Sequence, residues 1–576
     1  MSTKKDLDSG HANPVHLSDV SEKPPSSNPT ADETTGNPQY PGRVRLIFLI
    51  FGLVLSSFLI GLDNTIISTA IPKITDQFHA LEDVGWYGSA YLLTTCAFQL
   101  AWGKLYTFYP VKWTYLTALF VFEAGSLICA VAPTSVALIV GRAIAGVGTG
   151  GANAGAYLLV ALSVPERQRP TLLGLIGGMY GVASVAGPLL GGLFTDTPRL
   201  TWRWCFYINL PLGLIAAVIV LLCVSSSRMS GGTSRPVSLV RQLRQMDLPG
   251  TLALVPGVIC FLLALQWGGA KYAWTNGRII ALLVVAVCLF VTFIAIQIHS
   301  GERATVPPRI FRNRNIWGSA IFGACLTACF FVMLYYVRSL PQASKADRLT
   351  CFQLPIWFQA IKGATPAKSG IMNLPMVLGF VIFSALSGAL VSAIGYYIQF
   401  VYLSLILMAL GTGLLSTLTV DAGPGPWIGY QALLGAGVGV GLQAPITAAQ
   451  TALELKDIAT GTAAVIFCET LAGGVMVSVA QNVFANQLGR FLSGVPGLDP
   501  RVILDNGATE LKGRVAAEYY PAVLAAYNRA LTQTFYVGVG LACCSLLGAV
   551  WLEPLRVGRK GKAEGDINGN GQSERE

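Results

Sequence analysis

Long apolar stretches alternate with short polar segments along most of the chain. Fourteen of these stretches approach the roughly 20 apolar residues that an α-helix needs to cross a lipid bilayer. They are continuous, whereas the strands of a membrane β-barrel alternate over about ten residues. The pattern therefore predicts an all-α polytopic membrane protein with 14 transmembrane helices. The predicted spans are 46–70, 84–106, 113–132, 136–160, 172–194, 204–225, 248–268, 279–298, 317–337, 370–392, 396–418, 427–450, 460–484 and 531–552.

The composition agrees with a membrane protein. Of the 576 residues, 53% are hydrophobic and only 12% are charged, whereas about 25% of a soluble domain is charged. Residues 1–44 and 553–576 are polar by contrast, and we expect both to be disordered tails. No apolar run precedes Leu46, so the first segment lacks the composition of a signal peptide. An even number of spans places both tails on one side.

The distribution of Lys and Arg predicts which side the tails occupy. Cytoplasmic loops of membrane proteins are enriched in these residues, and most of them fall in the short loops on the side of the tails. We therefore expect cytoplasmic tails. The net charge of +10 follows from this topology, so it does not indicate nucleic acid binding.

Two polar segments interrupt the regular pattern. Residues 485–530 separate the last two spans and are expected to form an extracellular loop. Residues 337–353, VRSLPQASKADRLTCFQ, split an apolar run. Their first and last residues are compatible with the ends of a short intron retained in the gene model. A genuine loop insertion is the alternative, and sequencing the transcript distinguishes the two.

The sequence contains few signs of catalytic or metal chemistry. The 12 cysteines lack the spacing of a zinc site or a disulfide framework. The glycine-rich runs lack the Gly-Lys-Ser/Thr ending of a phosphate loop, and the four histidines lie in tails or at loop edges. We therefore expect no enzyme, no metal and no cofactor. Any transport would draw on an ion gradient.

Four motifs follow one another in the first half. They are GLDNTII at 61–67, RAIAGVG at 142–148, a glycine-rich stretch that ends in Gly187-Pro188, and WRWCFYINLPLG at 202–213. In this order they resemble the 14-span drug:proton antiporters of the major facilitator superfamily, and the resemblance covers about residues 45–555. The stretches IWFQAIKG and IMNLPM are similar to those of fungal members that export toxins and other secondary metabolites.

The resemblance implies a major facilitator fold. Its two six-helix bundles would be 45–225 and 317–552, joined by a linker, 226–316, with two extra helices. It also implies proton-coupled efflux of amphipathic small molecules by alternating access. Vacuolar transport of small metabolites such as basic amino acids is the alternative. We expect a monomer in the plasma membrane, or alternatively in the vacuolar membrane, driven by the proton gradient.

Apart from Lys104 at the end of the second predicted span, four charged residues fall inside predicted spans, where charge is costly and often functional. Asp63 lies about 27 Å along the first span, and Arg142 lies about 14 Å from the outer end of the fourth. Their depths are similar, so we expect them to be neighbours, either as a proton-coupling group or as a static ion pair. Glu123 and Glu469 fall near mid-membrane and are further proton-site candidates. Neutral, hydrogen-bonded acids are the alternative for both.

Polarity and the family resemblance supply further candidates. Asn153, Gln443 and Gln450 are expected to form hydrogen bonds in a central cavity. The glycine-rich fifth span resembles the family's antiporter motif, which seals the two halves against leak; ordinary close packing is the alternative. We name its candidate residues the antiporter-motif set: Gly177, Gly181, Gly187, Pro188, Gly191 and Gly192.

The loop after the second span resembles the family's gating loop only in part. Gly103 and Lys112 match the motif, and Lys104 adds a second positive charge. Thr107 stands where the family usually has an aspartate. We therefore do not expect the charge relay that this aspartate makes between the two halves of other members.

Overall fold

The computed structural model describes residues 40–80, 83–197, 200–225, 246–269, 272–334, 354, 357–364, 366–495 and 518–558. The segment 337–353 lies outside these ranges, and so does most of both tails. The retained-intron hypothesis and the predicted disorder of the tails therefore stay predictions.

Helices make up most of the described chain, and we number the principal ones in chain order. The first group is α1 (Arg43–Phe78), α2 (Val84–Phe108), α3 (Val111–Val131), α4 (Ser135–Ser163), α5 (Arg169–Asp196) and α6 (Asn209–Cys223). Two helices follow, α7 (Leu248–Trp267) and α8 (Gly277–Ser300). The last group is α9 (Arg314–Leu334), α10 (Leu374–Ile394), α11 (Ile398–Ser416), α12 (Pro424–Gly441), α13 (Ala444–Ala452), α14 (Ile458–Ser493) and α15 (Tyr520–Trp551). Short helical segments lie at Trp204–Tyr207, Pro308–Phe311 and Pro366–Met372.

The all-helical membrane fold is confirmed. Within the described ranges, 13 helical stretches are long and apolar enough to cross a membrane, with α12 and α13 counted as one interrupted stretch. At the predicted second span, α2 is a helix of 25 residues, but it carries Thr94, Thr95, Gln99 and Lys104. These polar residues make it less apolar than the others. The count of 14 transmembrane helices therefore stays a prediction.

Helix extends into the predicted 485–530 loop at both of its ends. α14 continues to Ser493 and α15 begins at Tyr520. Apolar side chains explain the extensions, because Leu488 and Leu492 are buried and the rings of Phe484 and Tyr527 lie 6.1 Å apart. A hydropathy argument misses such segments because they bury one face only.

Glycines let neighbouring helices approach backbone to backbone. A Cβ placed on Gly148 of α4 would lie 2.6 Å from the carbonyl oxygen of Ala118 on α3. A Cβ on Gly379 of α10 would lie 2.8 Å from the carbonyl oxygen of Ala432 on α12. Small residues at helix contacts are how membrane helices gain close packing, because the bilayer supplies no hydrophobic force between them.

The helices form two packed groups, α1–α6 and α9–α15, which meet mainly along two helix pairs. α5 lies against α10, and α2 lies against α14. α7 packs on both α2 and α14, and α8 packs on α7. We call the end of the bundle where α1 begins and α15 ends the termini side, and the opposite end the far side.

Candidate functional site

Asp63 and Arg142 form an ion pair in the interior of the first helix group. Nη1 of Arg142 lies 2.5 Å from Oδ2 of Asp63, and both side chains are fully buried. Nε of Arg142 donates to the carbonyl oxygen of Tyr87 at 2.8 Å. The guanidinium carbon lies 4.3 Å from the ring centre of Tyr91, so an aromatic face covers the charge. The structure thus brings together the two residues that the sequence placed at similar depth.

The second carboxylate oxygen of Asp63 also has a donor. Nδ2 of Asn209, at the start of α6, lies 2.9 Å from Oδ1 of Asp63 and 3.2 Å from Oγ of Ser126 on α3. Both oxygens of Asp63 are therefore satisfied while the group is ionised. A buried charge in this position is stabilised by its partners, and removing one partner leaves an uncompensated charge.

Glu123 lies beside this ion pair but takes no part in it. Its carboxyl group lies over Gly213 of α6, where a Cβ would collide with it. It is close enough to Asp63 for the two carboxyl groups to interact electrostatically. Both of its side-chain oxygens are buried and have no hydrogen-bond partner. An ionised carboxylate in such surroundings is costly, whereas a protonated carboxyl is tolerated.

Glu469 lies apart from the Asp63 ion pair, in the second helix group. Its carboxyl group lies over Gly323 of α9. It is also near enough to Tyr157 of α4 to interact with it electrostatically across the boundary between the groups. Its side chain is half-buried. The two mid-membrane glutamates thus occupy different halves of the molecule.

The three polar cavity candidates line one part of this boundary. Nε2 of Gln450 on α13 donates to the backbone oxygen of Tyr157 at 3.3 Å. Gln443, at the break between α12 and α13, lies against Gly177 of α5. Asn153 is half-buried on α4, one turn before Tyr157. Gln443 and Gln450 connect the two halves, and none of the three is among the residues that line the cavity described below.

The antiporter-motif set divides into three environments. A Cβ on Gly181 would lie 2.6 Å from Cδ1 of Phe380 on α10, so the first part of the motif faces the other helix group. Gly187 and Gly191 face α1 instead, where an added Cβ would collide with Thr65 and Thr69. Gly192 has no neighbouring atom within 4 Å of such a Cβ. Pro188 lies inside α5, next to Gly187.

The gating-loop residues close the termini side. A Cβ on Gly103 would lie 2.5 Å from Cβ of Ala463 on α14. Oγ1 of Thr107, which replaces the family's aspartate, lies 3.2 Å from Oγ1 of Thr460. Nζ of the buried Lys104 donates to the carbonyl oxygen of Ala304 at 2.6 Å. Lys112 lies over the ring of Trp113 instead, so it is not part of this closure.

Ala304 belongs to the segment that follows the extra helix pair, and a carboxylate holds this segment in place. Asp247 caps the start of α7 through the backbone N–H of Gly250 at 2.9 Å. Its other oxygen accepts from the backbone N–H of Thr305 at 3.0 Å and from Nε2 of Gln297 at 2.5 Å. The termini end of the extra pair is thereby tied to the contact that Lys104 makes.

A cavity of about 170 Å³ lies between α1 and α2 on one side and α9 and α14 on the other. α7 supplies part of its wall through Leu262 and Gln266. The lining residues come from the far-side parts of α1, α2, α7 and α9 and from the middle and far part of α14. Since the termini side is closed below it, the two helix groups enclose a space that faces the far side.

The sequence matches the model of the Major Facilitator Superfamily over residues 53–477. The chain belongs to this superfamily. The chain is 52% identical over 511 residues to an MFS-type efflux pump of Trichophyton rubrum, and the alignment covers 88% of this chain and 91% of that protein. It is 48% identical over 509 residues to an efflux pump of Penicillium rubens, covering 88% and 90% of the two chains.

Solved structures agree at the level of the fold. The human organic anion transporter MFSD10 superposes with a TM-score of 0.53 at 12% identity, over 88% of this chain and all of that one. The family match and the 13 apolar helical stretches of the described residues identify the chain as a multi-pass membrane protein. The recognition of this superfamily from the four motifs is confirmed.

Several residues of the site were not predicted from the sequence. Tyr87 and Tyr91 hold Arg142, and Ser126 holds Asn209, yet none of the three differs in type from ordinary residues of a membrane helix. Asn209 carries a stronger signal, because it is a polar amide at the start of an apolar run. No local sequence pattern predicts the contact between Lys104 and Ala304, in the segment after the extra helix pair.

Proposed function

We propose that the chain is an efflux transporter that exports amphipathic small molecules by alternating access and is driven by the proton gradient. The cargo class would include fungal secondary metabolites, toxins or drugs. The observation that carries this proposal is the asymmetry of the interface: a cavity faces the far side while Thr107, Lys104 and Gly103 close the termini side. A rocking motion that exchanged these two arrangements would move a molecule across.

The names of the relatives support the direction of transport. Proteins that are about half identical over nearly the full chain are named efflux pumps. Export requires the far side to be the outside, which agrees with the cytoplasmic tails that the positive-inside rule predicts. With export from the cell as the proposed function, we propose the plasma membrane as its location.

We propose that Glu123, rather than Asp63, binds and releases the proton that is exchanged for cargo. Asp63 has an ion pair and an amide donor, so its ionised form is fully stabilised. Glu123 has buried oxygens without partners, which favours the protonated form in this conformation. A rearrangement of α3 and α6 that admitted water to Glu123 would release its proton. Glu469 is the second candidate, in the other half.

Transport of basic amino acids, the alternative that the family offers, receives less support. The cavity is lined by uncharged residues within the described ranges, so a cationic cargo would meet no counter-charge there. We therefore retain efflux as the proposal.

The test is transport in inside-out vesicles from a yeast that lacks its own drug pumps. An imposed gradient, acid inside, should drive accumulation of a radiolabelled hydrophobic compound such as cycloheximide, and a protonophore should collapse it. Vesicles that carry a Glu123→Gln variant at equal abundance are the matched control. Absence of gradient-driven flux across a broad compound panel would contradict the proposal.

A further inference from the structure

The extra helix pair reaches the far side of the cavity and contacts both halves there. The rings of Trp267 on α7 and Trp86 on α2 pack edge to face, with centroids 5.9 Å apart. The turn after α7 places Gly269 against Asn482 of α14, and its φ of +75° is one that glycine adopts without strain. α7 is therefore wedged beside the cavity rather than attached to one half.

Gln266 brings an amide from this pair into the cavity wall. Its Nε2 donates to Oγ of Ser89 on α2, and the backbone oxygen of Gly85 lies 3.5 Å from the same nitrogen. Ser89 also lines the cavity. An amide has two donor hydrogens and a carbonyl oxygen, so with its nitrogen directed at Ser89 and Gly85 the carbonyl oxygen of Gln266 can accept from a bound molecule.

The remaining lining is uncharged and divides into polar and apolar surfaces. Hydroxyl and amide groups come from α1, α2 and α14, and aliphatic or aromatic groups come from all of the surrounding helices. The polar members are Asn64, Ser68, Ser89, Thr470, Ser478 and Gln481, and the larger apolar members are Ile67, Ile71, Leu92, Leu93, Phe331 and Val477. No Asp, Glu, Lys or Arg is among the described lining residues.

We infer that the cavity binds an uncharged molecule that carries hydroxyl or carbonyl groups on an apolar skeleton, and that Gln266 of the extra helix pair helps to select it. This inference rests on the proposed function for its biological meaning. Burial of an unpaired charge in this lining is costly, whereas neutral hydrogen-bonding groups find partners. A pocket with hydrogen-bonding groups discriminates against molecules that leave those groups unpaired.

The inference is tested by equilibrium binding to the purified full-length protein in detergent. One panel contains uncharged compounds with hydroxyl and carbonyl groups, including cycloheximide. The other contains lipophilic cations, including tetraphenylphosphonium. The wild-type chain should bind members of the first panel at least tenfold more tightly than the cations.

Two substitutions at one position separate recognition from packing. Gln266→Glu has nearly the same shape but adds a charge. It should therefore lower the affinity for the uncharged compounds and raise the affinity for tetraphenylphosphonium. Gln266→Leu removes the hydrogen bonds of the amide and should lower the affinity for the uncharged compounds by roughly threefold to tenfold. Trp86→Leu is the matched control for the α2–α7 contact, because Trp86 packs on Trp267 but is not among the described lining residues, and it should leave the ratio between the panels within about twofold of wild type.

Each outcome decides the inference. It is overturned if the wild-type chain binds the cations as tightly as the uncharged compounds, if it binds none of the uncharged panel, or if both Gln266 variants change the two panels equally. Selective binding without gradient-driven uptake would contradict the proposed function and leave the inference standing.

Discussion

The hydroxyl oxygens of Thr107 and Thr460 lie 3.2 Å apart, although the two residues are on different halves of the molecule. Thr107 occupies the position at which related transporters usually have an aspartate, so a neutral hydrogen bond here takes the place of a charge contact. A neutral bond of this kind contributes about 1 kcal/mol, whereas bonds to charged groups contribute roughly 1.5–3 kcal/mol. This part of the termini-side closure should therefore be readily reversible.

Cross-linking this pair should trap the closed termini side. In a Thr107→Cys/Thr460→Cys variant, oxidation should form a disulfide and reduce gradient-driven uptake by at least tenfold, and dithiothreitol should restore it. Each single cysteine variant should be insensitive to oxidant. Mass spectrometry of the linked peptide pair verifies the cross-link. Full transport by the cross-linked protein would show that this contact does not open during the cycle.

Removing one partner of the central ion pair should destabilise the protein more than removing both. Asp63→Asn leaves the Arg142 charge buried without compensation, a loss of about 3–5 kcal/mol. The double variant Asp63→Asn/Arg142→Gln should recover part of the thermal stability of the single variant. The measurement is the melting temperature of purified protein by intrinsic fluorescence. A double variant no more stable than Asp63→Asn would mean that the pair does not dominate the local energetics.

Glu123→Gln should separate cargo binding from proton coupling. The glutamine resembles the protonated acid and the carboxyl oxygens have no partners to lose, so folding and cargo affinity should stay close to wild type. Gradient-driven accumulation should fall at least tenfold, while exchange of labelled for unlabelled cargo continues. Glu469→Gln is the comparison variant, because it tests the other half. If accumulation survives in Glu123→Gln and fails in Glu469→Gln, Glu469 rather than Glu123 is the proton-carrying residue.

The two ends of the antiporter-motif set should respond differently to added bulk. Gly181→Leu places a side chain against Phe380 across the interface, so it should abolish or uncouple transport in protein that still reaches the membrane. Gly192→Leu adds the same side chain where no atom lies within 4 Å, and it should retain most of the activity. Cell-surface abundance and uptake are measured together. Equal loss in both variants would point to a general effect of bulk on α5.

Acid should weaken the contact between the start of α9 and the end of α15. Hydrogen bonds from Asn315 and then Arg314 hold the pKa of Glu553 below its ordinary value. The stabilisation is therefore complete above the unfolded-state pKa, near 4.3, and is lost as the pH falls through the lower folded-state value. At neutral pH, Glu553→Gln should lower the melting temperature by about 2 °C, and the difference from wild type should shrink below pH 4. A difference that is the same at both pH values would contradict this account.

The sequence predicted those features that depend on local pattern. The spans follow from apolar runs, and the neighbouring depths of Asp63 and Arg142 follow from helix rise. It did not predict that Gly181 faces α10 while Gly187 faces α1. Helix geometry shows that residues six apart point in different directions, but it does not show which helix lies in each direction. The contact between Lys104 and Ala304 joins residues 200 positions apart, and no periodicity encodes it.

The extra helix pair and the segment that follows it reach both ends of the transport path. Near the termini, Ala304 accepts the hydrogen bond of the gating lysine, and on the far side Gln266 forms part of the cavity wall. If a cargo molecule strengthens the seating of α7, it changes the free energy of releasing Lys104 as well. Thermodynamic reciprocity then requires that release of Lys104 change the affinity for cargo by the same factor. In that case a helix pair that looks like a spacer in the sequence would couple the closure on the termini side to cargo binding on the far side.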